Sequence, residues 1–90
     1  MTDIIQGLVL DVIDGDTFDM KVTHIGTNNK TKYNDNERIR LADVDAPELG
    51  SSGGKRSKDE LKRKLQNQEV KCYIQARDTY GRIVAKVKIL

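Results

Sequence analysis

Tryptophan is absent from this 90-residue chain, and cysteine, proline, histidine and phenylalanine occur once each. A single Cys72 cannot close an internal disulfide, so no covalent staple helps the fold. Its alternation with Val70, Ile74 and Ala76 reads instead as a buried thiol on a strand. His24 stands in a polar stretch with no second His or Cys near it, which excludes a zinc site there and leaves it an exposed bystander. Phe18, Tyr33, Tyr73 and Tyr80 are the whole aromatic supply, thin for a base-stacking platform. No apolar run approaches the roughly 20 residues of a membrane span, and Met1-Thr2-Asp3-Ile4 does not open a basic-then-apolar leader. The chain as it stands reads as cytoplasmic and without a membrane partner, with secretion open if a leader has been removed.

What is present is Ile, Val and Leu in short alternations, with 37% hydrophobic and 33% charged residues, the balance of an ordered globular chain. Its length suits one domain over residues 1–90, with a small core that buries about 60–65% of the unfolded surface. The formal net charge of +2 conceals an asymmetry. Residues 1–52 hold 5 Lys+Arg against 10 Asp+Glu, or −5, whereas residues 53–90 hold 11 against 4, or +7. An acidic half suited to a cation beside a basic half suited to phosphates is one meaning; two ordinary solvated faces is the other.

Leu8, Leu10 and Val12 alternate with Val9, Asp11 and Ile13, which predicts a first half-buried strand. Asp14-Gly15 predicts a tight turn of the primed type, and Thr17, Phe18, Met20 and Val22 a second strand. Residues 26–30 mark a reversal, and the polar segment up to Glu37 reads as a long hairpin tip. Arg38-Ile39-Arg40-Leu41 predicts a third strand that ends before Pro47. After the Gly-Ser loop at 50–54, Ser57-Lys58-Asp59-Glu60 has the pattern of a capping box, opening a short helix on Leu61 and Leu65 that ends near Asn67. A fourth strand follows over Val70, Cys72, Ile74 and Ala76, then a turn at Asp78-Thr79-Tyr80-Gly81, then a fifth strand over Ile83, Ala85, Val87 and Ile89. Three strands, a helix and two strands give a mainly β fold with one helix. That order matches a five-stranded OB-fold Greek-key barrel, its helix placed between strands three and four.

Three clusters hold nearly all the candidate functional groups. In Asp14-Gly15-Asp16-Thr17, Asp14 serves the turn by bonding its own backbone, while Asp16 is left over as an oxygen ligand for a hard cation. The spacing of Asp14, Asp16 and Asp19 does not fit an EF-hand loop. In the segment from Arg40 to Glu48, one arginine, Asp43, Asp45, Glu48 and Pro47 crowd together, and like charges so close need a cation or an arginine between them. Strict strand parity puts Arg40 and Asp45 on opposite faces, so their convergence requires a bend or bulge before Pro47. The third cluster is Asp78-Thr79-Tyr80-Gly81-Arg82, a turn with Gly81 left-handed and, on the plainer reading, a surface Asp78–Arg82 pair.

In order and spacing, Asp14-Gly15-Asp16-Thr17, Arg40-Leu41 leading to Val44-Asp45-Ala46-Pro47-Glu48, and Asp78-x-Tyr80-Gly81-Arg82 resemble the thermonuclease (staphylococcal-nuclease-like) family over about residues 8–89. The resemblance implies that Asp16, Asp45 and the backbone carbonyl of Ala46 bind Ca2+, that Glu48 is the general base, and that Arg40 and Arg82 hold the scissile phosphate. It further implies a monomeric nuclease acting on single-stranded DNA or RNA and leaving 3′-phosphate products. Tyr80 would pack beside the nucleotide, and Lys55 and Arg56 would extend a basic track. Members of the family continue into one or two helices beyond the fifth strand, absent before Leu90 here, and often carry a lysine where Thr79 stands. The runner-up is a non-catalytic OB module that binds nucleic acid or protein; a third reading is a truncated, inactive nuclease fold.

Overall fold

The computed structural model describes residues 2–44 and 53–90. Its longest strand, β1 (Ile4–Asp14), pairs antiparallel with β2 (Thr17–Ile25) on one edge and, through Ile4–Leu8, with β4 (Glu69–Arg77) on the other. β2 pairs antiparallel with β3 (Asn36–Leu41), and β4 with β5 (Ile83–Ile89). A short parallel ladder, Ile39–Leu41 against Ile83–Ala85, joins β3 to β5 and closes the barrel in the order β1-β2-β3-β5-β4. The helix α1 (Gly54–Leu65) lies between β3 and β4 in the chain, so the expected five-stranded barrel with one helix is the observed fold.

The alternation expected in β1 is interrupted. Ile5, Gly7 and Val9 face inward, and the next inward residue is Val12, three positions on; Leu10 is 43% exposed. A register shift between Val9 and Asp11 inserts one residue against β2 and changes the phase of the strand. The bulge is used: the Leu10 carbonyl accepts a bond from Gln66 Nε2 (2.6 Å), and Val9 exchanges backbone bonds with Asn67 and Gln68, tying the end of α1 to the strand. β1 also starts four residues ahead of the expected Leu8, because Gly7 admits a close crossing. A Cβ there would lie 2.2 Å from the Lys21 carbonyl oxygen and 2.7 Å from Met20 Cγ. A shift in the β4–β5 pairing, between Ile74 and Ala76, turns Ala76 out to solvent at the end of β4.

Two further local expectations are corrected. The Asp14–Thr17 turn is not of the primed type, since the glycine with left-handed backbone is Gly81 (φ 83°) and not Gly15. Its tightness comes from Asp14, whose Oδ1 accepts the Asp16 N–H (3.0 Å), a side-chain link that replaces the left-handed pair. Nor does Ser57 cap α1. The helix begins at Gly54 with Gly53 in the cap position, and the Ser57 N–H already donates to the Gly53 carbonyl (3.0 Å), so a Ser/Glu spacing suited to a cap lies within the first turns. At the other end, Lys62, Arg63 and Lys64 face the negative pole of the helix, and Asn67 takes the left-handed conformation (φ 63°) that ends it.

The core is Ile5, Val9, Val12, Phe18, Met20, Ile39, Val70, Cys72, Ile83 and Ala85 from the strands, with Leu65 of α1 added from the helix. Burial pushes the Cys72 thiol up to about 12, where it is a small apolar group and not a nucleophile. His24 is exposed and paired with Thr23 Oγ1. Among the described residues, no helix is long and apolar enough to cross a membrane.

Candidate active site

The β1–β2 turn delivers Asp16 and Thr17 to the rim of the barrel, where both are nearly inaccessible, at 9% and 2% exposure. The Thr17 hydroxyl donates to Asp16 Oδ1 (2.9 Å), and the Asp16 carbonyl accepts the Leu41 N–H (2.8 Å), which fixes the turn against the end of β3. Asp14 stands beside Asp16, and its carboxyl is raised above the ordinary value, first by burial and then by the neighbouring Asp16 side chain.

In the β2–β3 register Thr17 lies opposite Arg40, and in the β3–β5 register Arg40 lies opposite Val84. Arg40 therefore reaches the same rim: Nη2 is 3.5 Å from Asp16 Oδ2, and Nη1 donates to the Leu41 carbonyl (2.8 Å). β3 ends at Leu41 and the chain turns at Ala42 and Asp43, after the Ala42 N–H has bonded the Ala85 carbonyl (2.9 Å). The chain thus changes direction directly after the strand. The expected ligands Asp45 and Ala46 and the expected base Glu48 lie outside the described residues.

Arg82 comes from the β4–β5 turn. Asp78 organises that turn, its Oδ1 accepting the N–H groups of Tyr80 (3.0 Å) and Arg82 (2.9 Å) while Oδ2 accepts Arg82 Nε (2.6 Å). Desolvation works against the Asp78 carboxylate, yet the bonds from the backbone and side chain of Arg82 hold it below its ordinary value. Arg82 Nη1 reaches Thr17 Oγ1 at 3.4 Å. Thr17 is therefore the junction: its hydroxyl lies between Arg82 and Asp16, and Asp16 lies between Thr17 and Arg40. The Asp78–Arg82 pair is more than the surface ion pair of the plainer reading, because it aims the guanidinium at this rim.

Tyr80 is 83% exposed with its ring 5.3 Å beneath the Arg82 guanidinium carbon, a cation–π arrangement. Together with Arg38 these two line a cleft of about 300 Å³. Arg38 has no expected role, although its even spacing from Arg40 on one strand is the signal that could have found it. Its guanidinium forks onto Asp19 (2.8 and 3.1 Å), whose bonds raise the already high Arg38 value. Lys55 and Arg56 are exposed in the first turn of α1, and Arg56 pairs with Glu60 of its own helix (3.4 Å). Their described contacts do not join them to the rim.

A larger cleft, of about 570 Å³, lies between residues 30–33 of the β2–β3 connection and the end of β4. It contains none of the expected site residues. Its carboxylate, Asp3, is occupied by the N–H groups of Lys30 and Thr31 and by the hydroxyls of Thr31 and Tyr33. Size favours this cleft, but reactive groups converge at the rim, and chemistry decides between them.

A cation suits the rim as far as it is described. Asp14 and Asp16 offer only hard oxygen donors, which Ca2+ prefers, and the crowding that raises Asp14 is what a cation would relieve. Among the described residues, no three His, Cys, Asp or Glu side chains form a cation set by themselves.

Comparison with known proteins agrees with this architecture. The family described as "Staphylococcal nuclease homologue" matches residues 38–90, a stretch holding both arginines. A "Micrococcal nuclease" of Shigella flexneri is 38% identical over 82 residues, covering 91% of this chain and 41% of that protein. An "Uncharacterized endonuclease" of Escherichia coli is 34% identical over 83 residues, covering 92% of this chain and 48% of that one. A probable staphylococcal-like nuclease of Oryza sativa subsp. japonica is 40% identical over 50 residues, 56% of this chain and 15% of its own length. The chain spans less than half the length of these relatives. With the barrel, the rim acid and the two arginines in the family's order, the chain belongs to the staphylococcal nuclease family.

Proposed function

We propose that this chain is the barrel of a metal-dependent nuclease that hydrolyses phosphodiester bonds of single-stranded DNA or RNA with Ca2+ and leaves 3′-phosphate ends. One observation carries the reading: a buried acid, Asp16, meets two guanidinium groups from separate strand ends at one rim, Arg40 directly and Arg82 through the Thr17 hydroxyl. Relatives named as nucleases support the same direction.

Arg40 and Arg82 present planar forks to the non-bridging oxygens of the scissile phosphate. Their hold strengthens as charge grows on those oxygens, which a lysine point charge matches less well. Glu48 takes the proton of the attacking water, the role the family resemblance gives it. Asp16, with Asp45 and the Ala46 carbonyl, would hold Ca2+, which when bound supplies a Lewis acid next to the phosphate. The 5′ oxygen leaves. Tyr80 flanks the nucleotide, and Lys55 and Arg56 extend the positive track along α1. Because these groups address the backbone and not base edges, little sequence preference is expected. The chain acts as a monomer.

The test is a single-stranded oligonucleotide incubated with the protein in calcium and in a chelator. Fragments ending in 3′-phosphate, formed only with calcium and lost in Glu48→Ala, are the expected result. Intact DNA retained on the protein in both conditions would instead make it the non-catalytic OB module.

A further inference from the structure

Glu37 is the second residue of β3, its side chain only 4% exposed, and Arg77 closes β4; neither belongs to the three motifs. Arg77 makes two kinds of bond at once. Nη1 and Nη2 fork onto Glu37 Oε1 and Oε2 (3.3 and 3.2 Å), and Nη1 also donates to the Gly81 carbonyl (2.8 Å). Glu37 Oε2 additionally accepts the Asn34 N–H (3.0 Å), so the buried carboxylate is well bonded.

The Gly81 carbonyl and the Arg82 N–H are the two ends of one peptide group. Arg77 holds the carbonyl end and Asp78 Oδ1 holds the N–H end (2.9 Å). Gly81 is left-handed (φ 83°) with open space where a Cβ would be, so local sterics do little to fix that peptide plane. The two side-chain bonds hold its two ends, within a turn whose backbone is closed by the Gly81 N–H on the Asp78 carbonyl (3.0 Å) and the Asp78 N–H on the Arg82 carbonyl (2.8 Å). Glu37 lies on the strand that carries Arg40, so the Glu37–Arg77 fork also ties the mount of one phosphate arginine to the mount of the other.

We propose that Arg77 and Glu37 are positioning residues for Arg82: they set the plane of the Gly81–Arg82 peptide and hold it in register with Arg40. This rests on the nuclease reading for its catalytic consequence, but the geometric claim can be judged without it. Misplacement of a catalytic group by about 1 Å can cost on the order of 10²-fold in rate. Arg77→Met is therefore expected to lower kcat by ~10-fold or more. It also leaves Glu37 buried and uncompensated, so it lowers the melting temperature. The deciding variant is Glu37→Met/Arg77→Met, because a buried ion pair replaced by apolar side chains of similar volume is often neutral for stability. Arg77→Lys, which keeps the charge against Glu37 and loses the fork, is the second variant should the double one unfold.

Three readings are taken on each: thermal unfolding, kcat and KM on a single-stranded oligonucleotide, and NMR exchange of the Arg82 Nε–H with solvent. The expected result is a folded double variant with kcat still about 10-fold down, a smaller change in KM, and faster Nε–H exchange. Arg77→Lys is expected to fall between it and the wild type on both rate and exchange. A folded double variant, or in its place Arg77→Lys, with wild-type kcat and unchanged exchange would overturn the proposal. If the wild type cleaves nothing, the nuclease reading falls, and the Nε–H exchange alone decides the positioning claim.

Discussion

Thr17 is the side chain on which the connectivity of the described rim depends. Its hydroxyl has Asp16 Oδ1 at 2.9 Å and Arg82 Nη1 at 3.4 Å, at 2% exposure. Valine would fill nearly the same volume and remove the link, so Thr17→Val is expected to cost about 1–3 kcal/mol, the usual range when a buried polar group loses a partner. Urea denaturation checks the stability, and the activity loss should exceed what the unfolded fraction explains. Gly7 makes a different single-residue claim. An alanine Cβ there would collide with the Lys21 carbonyl oxygen at 2.2 Å, and backbone on the far side cannot yield as a flexible side chain would. Gly7→Ala should destabilise by roughly 1–3 kcal/mol, the scale of overpacking in a close-fitted interior. An unchanged melting temperature would mean that the β1–β2 crossing is looser than the structure has it.

Among the elements, the strands and the helix were legible because their periods survive in the sequence. Phe18 and Met20 in β2, Val70 and Cys72 in β4, and Ile83 and Ala85 in β5 all point inward as their alternation predicts. What was illegible is where that period breaks. Nothing in the residue types marks Leu10 as a bulge; only pairing with β2 and the bond from Gln66 reveal it. The motif residues Asp16, Arg40 and Arg82 were found because each sits in a short ordered pattern. Glu37, Arg77 and the link from Thr17 to Arg82 acquire their roles from contacts between segments 40 to 65 positions apart, which no local pattern carries. Asp3 belongs to the same class. It pins residues 30–33 to the start of β1, and its carboxyl is held below the ordinary 3.8, chiefly by the Lys30 N–H and then by the Tyr33 hydroxyl. A folded-state value below the unfolded one contributes stability that is present above about pH 4 and lost as pH falls through the lower folded value. Amide exchange at Lys30 and Thr31 should therefore rise as pH drops below 4, after correction for intrinsic rates, and should already be fast at neutral pH in Asp3→Ala.

The barrel as a whole reconciles the uneven charge of the chain. Arg40 comes from the net acidic stretch and Arg82 from the net basic one, and closure of β3 onto β5 brings both to the rim occupied by Asp16. In the proposed function these two guanidinium groups act on one phosphate. A double-mutant cycle of Arg40→Lys and Arg82→Lys, read as kcat/KM on a single-stranded oligonucleotide in calcium, addresses it most directly. Each single change is expected to lower the rate by on the order of 10²-fold, as for loss of one preorganised donor to the transition state. Groups that act as a unit are strongly non-additive, so the double variant should lose well under the ~10⁴-fold product of the single effects. Losses that simply multiply, or a near-wild-type rate in either single variant, would contradict a shared phosphate site.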